Sequence, residues 1–575
     1  MTITKKYFIV DIIPLINLPQ QAPDYFSYFS NLKIKQGAIV EINFKKQRIY
    51  GFVNKVLQPS QKRLILKKAT FKLKPVLKII NNQPVIGVDE LNLAKWLKNY
   101  ACVSLATALN FFVPYKKILF LKNQNNTRHF KKNKKYTTYY HQHLDNQILQ
   151  NKKTLIITPQ TSYINYLAQK IPPAIVITDK KINQSTIEKI MGNNKNIFIS
   201  VKNGIFLPWK FLDQIIIYHE GSIFYKETFR SPFIDYRKIF TKFSQYHKID
   251  CHIVDDLPSF DFIKNHKINN YQKINFSIIN SIDHFEKEIV NFKKTIIFVP
   301  QKAFAQKIIC HNCLSSLVCP QCNHYLIFDN KQPYCYICLT TMKMPEQCFN
   351  CHQQNSFVLN QYGVKGIAQL LNNLNKEIII LEKNKRRYIK DFQQKEQIYL
   401  IGSLYLLNPF LKASDYEAFF FINFHQFYTT NDFFLKEKFL RILYFFYKKN
   451  TKIFLVTNIR DENIEKAIQT GEIINILLKE REMSMLPPFK RLILLKEGST
   501  DIKKIQQKLL TIKNNLKQET KSVELFGPMF AKPFKQKRRF FLELIMKTNT
   551  NLNLNLHKIL HKYDIEYIDI DALSF

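Results

Sequence analysis

Eight of the ten cysteines in this 575-residue chain crowd into residues 310–351 as four Cys-x-x-Cys pairs. The pairs are Cys310 with Cys313, Cys319 with Cys322, Cys335 with Cys338, and Cys348 with Cys351. Both thiolates of such a turn can bind one ion, and two turns complete a tetrahedral site of four sulfurs. The spacing therefore predicts two zinc ions per chain. Because Cys supplies every ligand and no coordination position stays open, we expect the zinc to be structural and not catalytic.

The order of the pairs favours a nested arrangement. Only five residues separate Cys313 from Cys319, which is short for neighbouring turns to face the same ion. The sequence predicts that Cys310, Cys313, Cys348 and Cys351 bind one zinc, and that Cys319, Cys322, Cys335 and Cys338 bind the other. Disulfides, free buried thiols and iron–sulfur ligation are the alternatives. Cys-x-x-Cys spacing is poor for structural disulfides, and this use of cysteine fits a reducing, cytoplasmic location.

The segments around these cysteines alternate between predicted strands and helices, as in an α/β protein. Short apolar strands alternate with helical segments over residues 151–285 and again over 286–470, which predicts two parallel βα lobes. The cysteine module, residues 308–353, is inserted in the second lobe. Residues 1–114 predict a small β-rich domain and 471–575 an α+β domain. The polar, basic residues 115–150 predict a linker.

The charge of the chain points to a polyanionic partner. The sequence holds 86 Lys and Arg against 44 Asp and Glu, a net charge of +42. Such an excess favours nucleic acid as the partner, with phosphate contacts expected from clustered basic residues. The candidates are Lys45, Lys46, Arg48, Lys535, Arg538 and Arg539. The competing explanation is codon drift, because 73 Lys stand against 13 Arg and Asn, Ile, Phe and Tyr abound. No segment is predicted to span a membrane, and we expect a monomer.

These features together are similar to one known family. A double-zinc module of eight cysteines between two βα lobes resembles the primosomal replication-restart helicase family (primosomal protein N′, PriA). The N-terminal matches are Phe26-Ser-Tyr28, Gly37-Ala-Ile-Val40, Arg48-Ile-Tyr-Gly51, Leu73-Lys-Pro-Val-Leu77 and Leu93-Ala-Lys-Trp96. Later matches are Ile205-Phe-Leu-Pro208, Glu480-Arg-Glu-Met-Ser-Met-Leu-Pro-Pro-Phe489 and Gly527-Pro528. The resemblance implies that residues 1–114 bind a DNA 3′ end and that the two lobes are helicase-like.

The chain departs from this family where ATP chemistry is expected. The family's phosphate loop falls in residues 136–150, which contain no Gly. Its Asp-Glu-Glu-His box, which would hold Mg²⁺ and position water, aligns with Tyr218-His219-Glu220-Gly221. Its late Gly-Arg motif falls near residues 444–450, where only Lys448 and Lys449 are basic. An ammonium group does not reproduce a planar guanidinium.

Two further departures lie near the N-terminus. Residues 115–150 look too few and too polar for the winged helix that the resemblance places there. Ser27 stands where the family carries Asp, which bears on recognition of a 3′ hydroxyl.

The sequence therefore predicts a restart protein that binds forked DNA and helps to assemble the primosome, with replication-loading proteins as partners and no catalytic residues. The alternatives are an active 3′-to-5′ helicase of the same family with a non-standard nucleotide site, another zinc-bearing nucleic-acid protein, and a decaying remnant. Saturable binding of ATP would favour the helicase over the non-catalytic restart protein.

Overall fold

The computed structural model groups the chain into two units, residues 1–258 with 551–570 and residues 259–550 with 571–575. The residues that it describes are 7–58, 73–112, 136–178, 182–192, 194–228, 231–269, 271–301, 305–321, 323–329, 331–336, 339–374, 376–381, 386–448, 450–520, 523–536, 538–549, 559–560 and 562–573. Each unit is described by itself below.

The first unit begins with a closed β-barrel whose strand order is β1-β2-β5-β3-β4. The strands are β1 (Phe8–Pro14), β2 (Phe26–Ser30), β3 (Ile39–Phe44), β4 (Gln47–Leu57) and β5 (Lys74–Asn81). Apolar side chains at alternate positions, among them Val10, Ile12, Val40 and Val53, pack in one buried cluster. A Cβ on Gly51 would lie 2.3 Å from Ile12 Cγ2, so this strand contact requires glycine. Two helices follow, α1 (Val88–Tyr100) and α2 (Leu105–Phe112).

The rest of the first unit is built on a six-stranded parallel sheet of order β6-β11-β10-β7-β9-β8. Its elements are β6 (Thr138–His141), α3 (Asn146–Leu149), β7 (Thr154–Thr158), α4 (Thr161–Lys170), β8 (Ile175–Ile177), α5 (Gln184–Met191), β9 (Ile197–Val201), β10 (Gln214–Tyr218), α6 (Tyr236–His247) and β11 (Asp250–Val254). The parallel lobe that the sequence predicts is present.

The structure differs from the predicted linker over part of its length. Strand β6 and helix α3 lie within residues 115–150, and β6 pairs in parallel with β11. The most basic part of the predicted linker, residues 131–135, lies outside the described residues.

The second unit contains another six-stranded parallel sheet, of order β12-β21-β20-β13-β19-β18. Its first elements are α7 (Phe260–His266), β12 (Ser277–Ile279), α8 (Ile282–Ile289) and β13 (Lys294–Phe298). The antiparallel strands of the cysteine module come next: β14 (Ala305–Cys310), β15 (Ile327–Asp329), β16 (Gln332–Tyr334) and β17 (Phe357–Tyr362). The module is therefore inserted in the second lobe, as the sequence predicts.

The second lobe is completed after the insertion. Its elements are α9 (Val364–Leu371), β18 (Glu377–Leu381), α10 (Arg386–Gln394), β19 (Ile398–Gly402), α11 (Pro409–Ala413), β20 (Ala418–Phe421), α12 (His425–Thr429), α13 (Phe433–Phe446) and β21 (Lys452–Val456). One buried cluster joins this sheet to its helices, with Phe285, Ile367 and Phe420 among its members.

An α+β region follows the second lobe. Its elements are α14 (Glu462–Thr470), α15 (Ile473–Met483), β22 (Lys490–Ser499), α16 (Ile502–Glu519), β23 (Glu524–Gln536) and β24 (Arg539–Asn549). The strands pair antiparallel. Phe534 packs with Ile308 and Leu317 of the cysteine module in one buried cluster, so the module is anchored on this region. The last strand, β25 (Tyr567–Ile570), belongs to the first unit, where Lys226 Nζ donates to Asp569 Oδ1 at 2.6 Å.

Among the described residues, none of the helices combines the length and the apolar character needed to cross a membrane.

Candidate functional sites

Four cysteine sulfurs come together in the second unit. The Sγ atoms of Cys310, Cys313, Cys348 and Cys351 all lie within 4.8 Å of one another. The Cys310–Cys351 and Cys313–Cys348 separations are both 3.6 Å. A tetrahedral ion with Zn–S bonds of about 2.3 Å separates its sulfurs by about 3.8 Å. The cluster therefore fits one tetrahedral metal, and its members are the outer set that the sequence predicts.

The surroundings of this cluster favour the thiolate form of Cys313 and Cys348. Ser315 Oγ lies 3.0 Å from Cys313 Sγ and 3.4 Å from Cys348 Sγ, and the Asn350 amide donates to Cys348 Sγ at 3.4 Å. Hydrogen bonds from the side chain and backbone of Ser315 lower the pKa of Cys313 to about 5. Metal-binding cysteines must be deprotonated, and hydrogen bonds to sulfur orient them.

All four Cys-x-x-Cys turns share one backbone geometry. In each, the carbonyl of the first cysteine accepts a hydrogen bond of 2.8–2.9 Å from the amide four residues later, and that later residue has a positive φ of 55–61°. These later residues are Leu314, Asn323, Leu339 and His352. Leucine rarely adopts such a φ, so the repetition marks a constrained turn.

The inner cysteines are only partly described. Cys319 and Cys335 are buried and begin two of these four turns, whereas Cys322 and Cys338 lie outside the described residues. The inner site therefore stays a prediction, supported by the shared backbone geometry.

The place expected for a phosphate loop is the connection between β6 and α3. A phosphate loop joins a strand to a helix through a Gly-rich segment that ends in Lys and Ser or Thr. Here four residues, 142–145, connect the two elements, and helix α3 has only four residues. Asp145 caps the helix, and its Oδ1 accepts from the Gln147 amide at 3.0 Å. A carboxylate thus lies at the amide groups that a phosphate would need.

The residues aligned with the Mg²⁺-binding box lie at the carboxyl end of β10. Burial raises the pKa of Tyr218, so its phenol stays neutral. His219 has a positive φ of 54°, and its Nδ1 lies 3.3 Å from Asp255 Oδ1. Asp255 Oδ2 in turn accepts from the Gly221 amide at 2.7 Å. These contacts hold the segment in place, and neither Tyr218 nor His219 supplies the carboxylate that the family's box has at its position.

Sequence reasoning missed two acids beside this segment. His219, Asp255 and Asp256 place their ligand atoms within 4.8 Å of one another. Asp255 and Asp256 directly follow β11, the neighbour of β10, so their approach depends on the strand order and not on sequence spacing.

The basic residues near the expected arginine are engaged elsewhere or not described. Lys448 Nζ donates to the Ser414 carbonyl and lies 4.1 Å from the centre of the Tyr416 ring. Burial lowers the pKa of Lys448 to about 8. Lys449 lies outside the described residues. Lys448 therefore supports the local packing and is not a free cation.

The six candidate DNA contacts lie at the tips of two β-hairpins. Lys45 and Lys46 form the turn between β3 and β4, and Arg48 follows on β4. In the second unit, Lys535 lies near the end of β23, Arg538 lies in the turn, and Arg539 begins β24.

The first hairpin tip is the more exposed of the two. Lys45, Lys46 and Arg48 are all exposed, and so is Arg538 in the second hairpin. Arg539 is partly buried and donates to the Gly498 carbonyl at 2.6 Å.

The comparisons with known proteins match the region of the barrel and about two thirds of the chain. Residues 15–114 match the family model described as the 3′ DNA-binding domain of PriA. A replication restart protein PriA from Helicobacter pylori is 23% identical over 438 residues, which cover 66% of this chain and 68% of that protein. One from Rickettsia prowazekii is 20% identical over 406 residues, which cover 59% and 61%.

These matches support the family that the sequence predicts: residues 15–114 match a PriA DNA-binding domain, and about two thirds of the chain is similar to PriA restart proteins. The match to the PriA DNA-binding domain covers most of the barrel, including Lys45, Lys46 and Arg48, together with helices α1 and α2.

Proposed function

We propose that this PriA-family protein binds forked DNA and helps to assemble the primosome without hydrolysing ATP. The match of residues 15–114 to a DNA-binding domain supports the first part. The partners would be branched DNA and the proteins that load the replication machinery.

The main evidence for the proposal that ATP is not hydrolysed is the connection between β6 and α3. A phosphate loop works because glycines let successive backbone N–H groups converge on the phosphates, while its Lys and Ser or Thr reach the terminal phosphate and Mg²⁺. The four-residue connection has no glycine and is followed by a single helical turn. The Asp145 carboxylate occupies the helix N-terminus and would repel a triphosphate.

Two further features support this interpretation. The neutral phenol of Tyr218 is a poor Mg²⁺ ligand, and the His219 ring already pairs with Asp255. Lys448 is held by Ser414 and Tyr416. Each of the three elements of a phosphoryl-transfer site that the family resemblance implies is therefore altered: the loop lacks glycine, Tyr218 and His219 stand in the acidic box, and Lys448 is engaged in packing.

We also propose that the cysteine module holds two structural zinc ions. Cys310, Cys313, Cys348 and Cys351 would bind the first, as their sulfur separations allow. Cys319, Cys322, Cys335 and Cys338 would bind the second. Metal binding would keep the module folded and presented on the second unit.

A titration of fork DNA with and without ATP tests the proposed function. Fluorescence anisotropy of a labelled fork should show saturable binding with the same Kd in both conditions. A Kd that changes with ATP would favour an active helicase. Absence of binding to forks at low salt would overturn the DNA-binding part of the proposal.

A further inference from the structure

The hairpin between β3 and β4 has lysines at two turn positions where other residues are strongly preferred. Phe44 pairs with Gln47, which leaves a two-residue turn of Lys45 and Lys46 with φ values of 43° and 67°. A turn with two positive φ angles is the type I′ hairpin turn, which strongly prefers Asn-Gly or Asp-Gly. Lysine gains nothing from this conformation, because its side chain cannot bond the nearby backbone as Asn does.

Packing does not explain the choice of lysine. Both residues are exposed at the tip. Within the part of the chain that the structure describes, neither ammonium group forms an ion pair with a carboxylate. Two adjacent ammonium groups therefore lie in a strained turn, and that of Lys45 is 6.0 Å from the centre of the Phe44 ring.

A hairpin in the second unit repeats the pattern independently. Gln536 pairs with Arg539, and Arg538 in the turn between them is exposed and has a φ of 63°. Again a basic residue occupies a position where glycine or asparagine is preferred. Strain that local packing does not require is typical of functional positions.

We infer that Lys45 and Lys46 form a binding tip for the phosphate backbone of a DNA strand, and that their charge is retained at the expense of hairpin stability. The inference rests on the proposed function and names the contact within it. Both ammonium groups project from one turn of the barrel that matches the DNA-binding domain. Such contacts are independent of base sequence and depend strongly on salt.

The variant Lys45→Asn with Lys46→Gly separates binding from stability, because it installs the preferred turn and removes both charges. We expect the Kd for single-stranded DNA to rise about tenfold at low salt, and the slope of log K against log salt to become less steep by about 1.4. We expect the thermal midpoint of the full chain to rise by about 2–4 °C. Misfolding cannot mimic this result, since it would lower the midpoint.

Two further variants serve as controls. Lys45→Arg with Lys46→Arg keeps the charge and should keep the affinity. Lys503→Asn with Lys504→Asn removes the same charge from exposed positions of α16 and should change the Kd less than twofold. The inference is overturned if the Asn-Gly variant binds like the parent protein, if the α16 variant loses as much affinity, or if the thermal midpoint falls. If the parent protein itself fails to bind DNA, the proposed function fails instead.

Discussion

Substitution of Cys310 by Ser tests the outer metal site of the cysteine module. Cys310 ends β14, is fully buried, and its Sγ lies 3.6 Å from that of Cys351. Serine replaces a thiolate by a hydroxyl that is a poor zinc ligand and leaves three sulfurs. We expect the zinc content to fall from two equivalents per chain to about one, since the inner four cysteines are unchanged.

The structural cost of this loss can be bounded. Structural zinc contributes about 10–16 kcal/mol to the folding of small modules. Ile308 and Leu317 still pack with Phe534 in the variant, so we expect the disorder to stay at the turns that hold residues 310–313 and 348–351. Limited proteolysis should then cut near residues 345–355, while the two parallel sheets resist.

Metal analysis of the purified, reduced protein is the assay, with the buried Cys251 as matched control. Cys251→Ala removes a cysteine outside the module and should retain two equivalents of zinc. Two equivalents in the Cys310→Ser variant, or none in the parent protein, would refute the reasoning.

Three other outcomes follow from the structure. Tyr218→Asp combined with His219→Glu should give no phosphate release from ATP, because the triphosphate still lacks a loop; measurable turnover would show that only the acidic box was missing. DNA affinity should fall by a factor of about 10³–10⁵ between about 50 and 200 mM salt if six to ten phosphates are contacted. An affinity that does not change with salt would indicate that the positive net charge comes from codon drift and not from a DNA-binding surface. Glu437 lies 2.6 Å from Arg441 and 2.8 Å from Arg481; its burial raises its pKa, but the two guanidinium groups outweigh this and lower it to about 2. Its carboxylate therefore stabilises the fold above the ordinary pKa of 4.5, and this contribution is lost as the pH falls from there toward 2. Glu437→Gln should cost about 3–5 kcal/mol at neutral pH and flatten that pH dependence in urea unfolding, whereas an unchanged profile would contradict the assignment.

The central strands of both lobes could be predicted from the sequence. Residues 154–158, 214–218 and 452–456 are apolar runs in the sequence and inner strands of the two parallel sheets. Strands buried on both faces of a parallel sheet appear as continuous apolar runs, which are readily recognised. The outer cysteine cluster could also be predicted from the sequence, because each Cys-x-x-Cys turn is a short-range feature.

The edge strand β6 was not predicted. Thr138–His141 is polar and follows a basic segment, and only its pairing with β11 makes it a strand. Tertiary context overrides a weak local preference here. The short distance between His219 and Asp255 likewise depends on which strands are neighbours in the sheet. The turn at Lys45 and Lys46 was not predictable either, because lysine is not among the residues that favour two positive φ angles.

Steady-state ATP hydrolysis at saturating fork DNA tests the central claim most directly. The zinc-intact protein should release phosphate no faster than a heat-treated control, because no described element cradles the triphosphate. DNA-stimulated turnover above that control would contradict the account and establish an active motor with a non-standard nucleotide site.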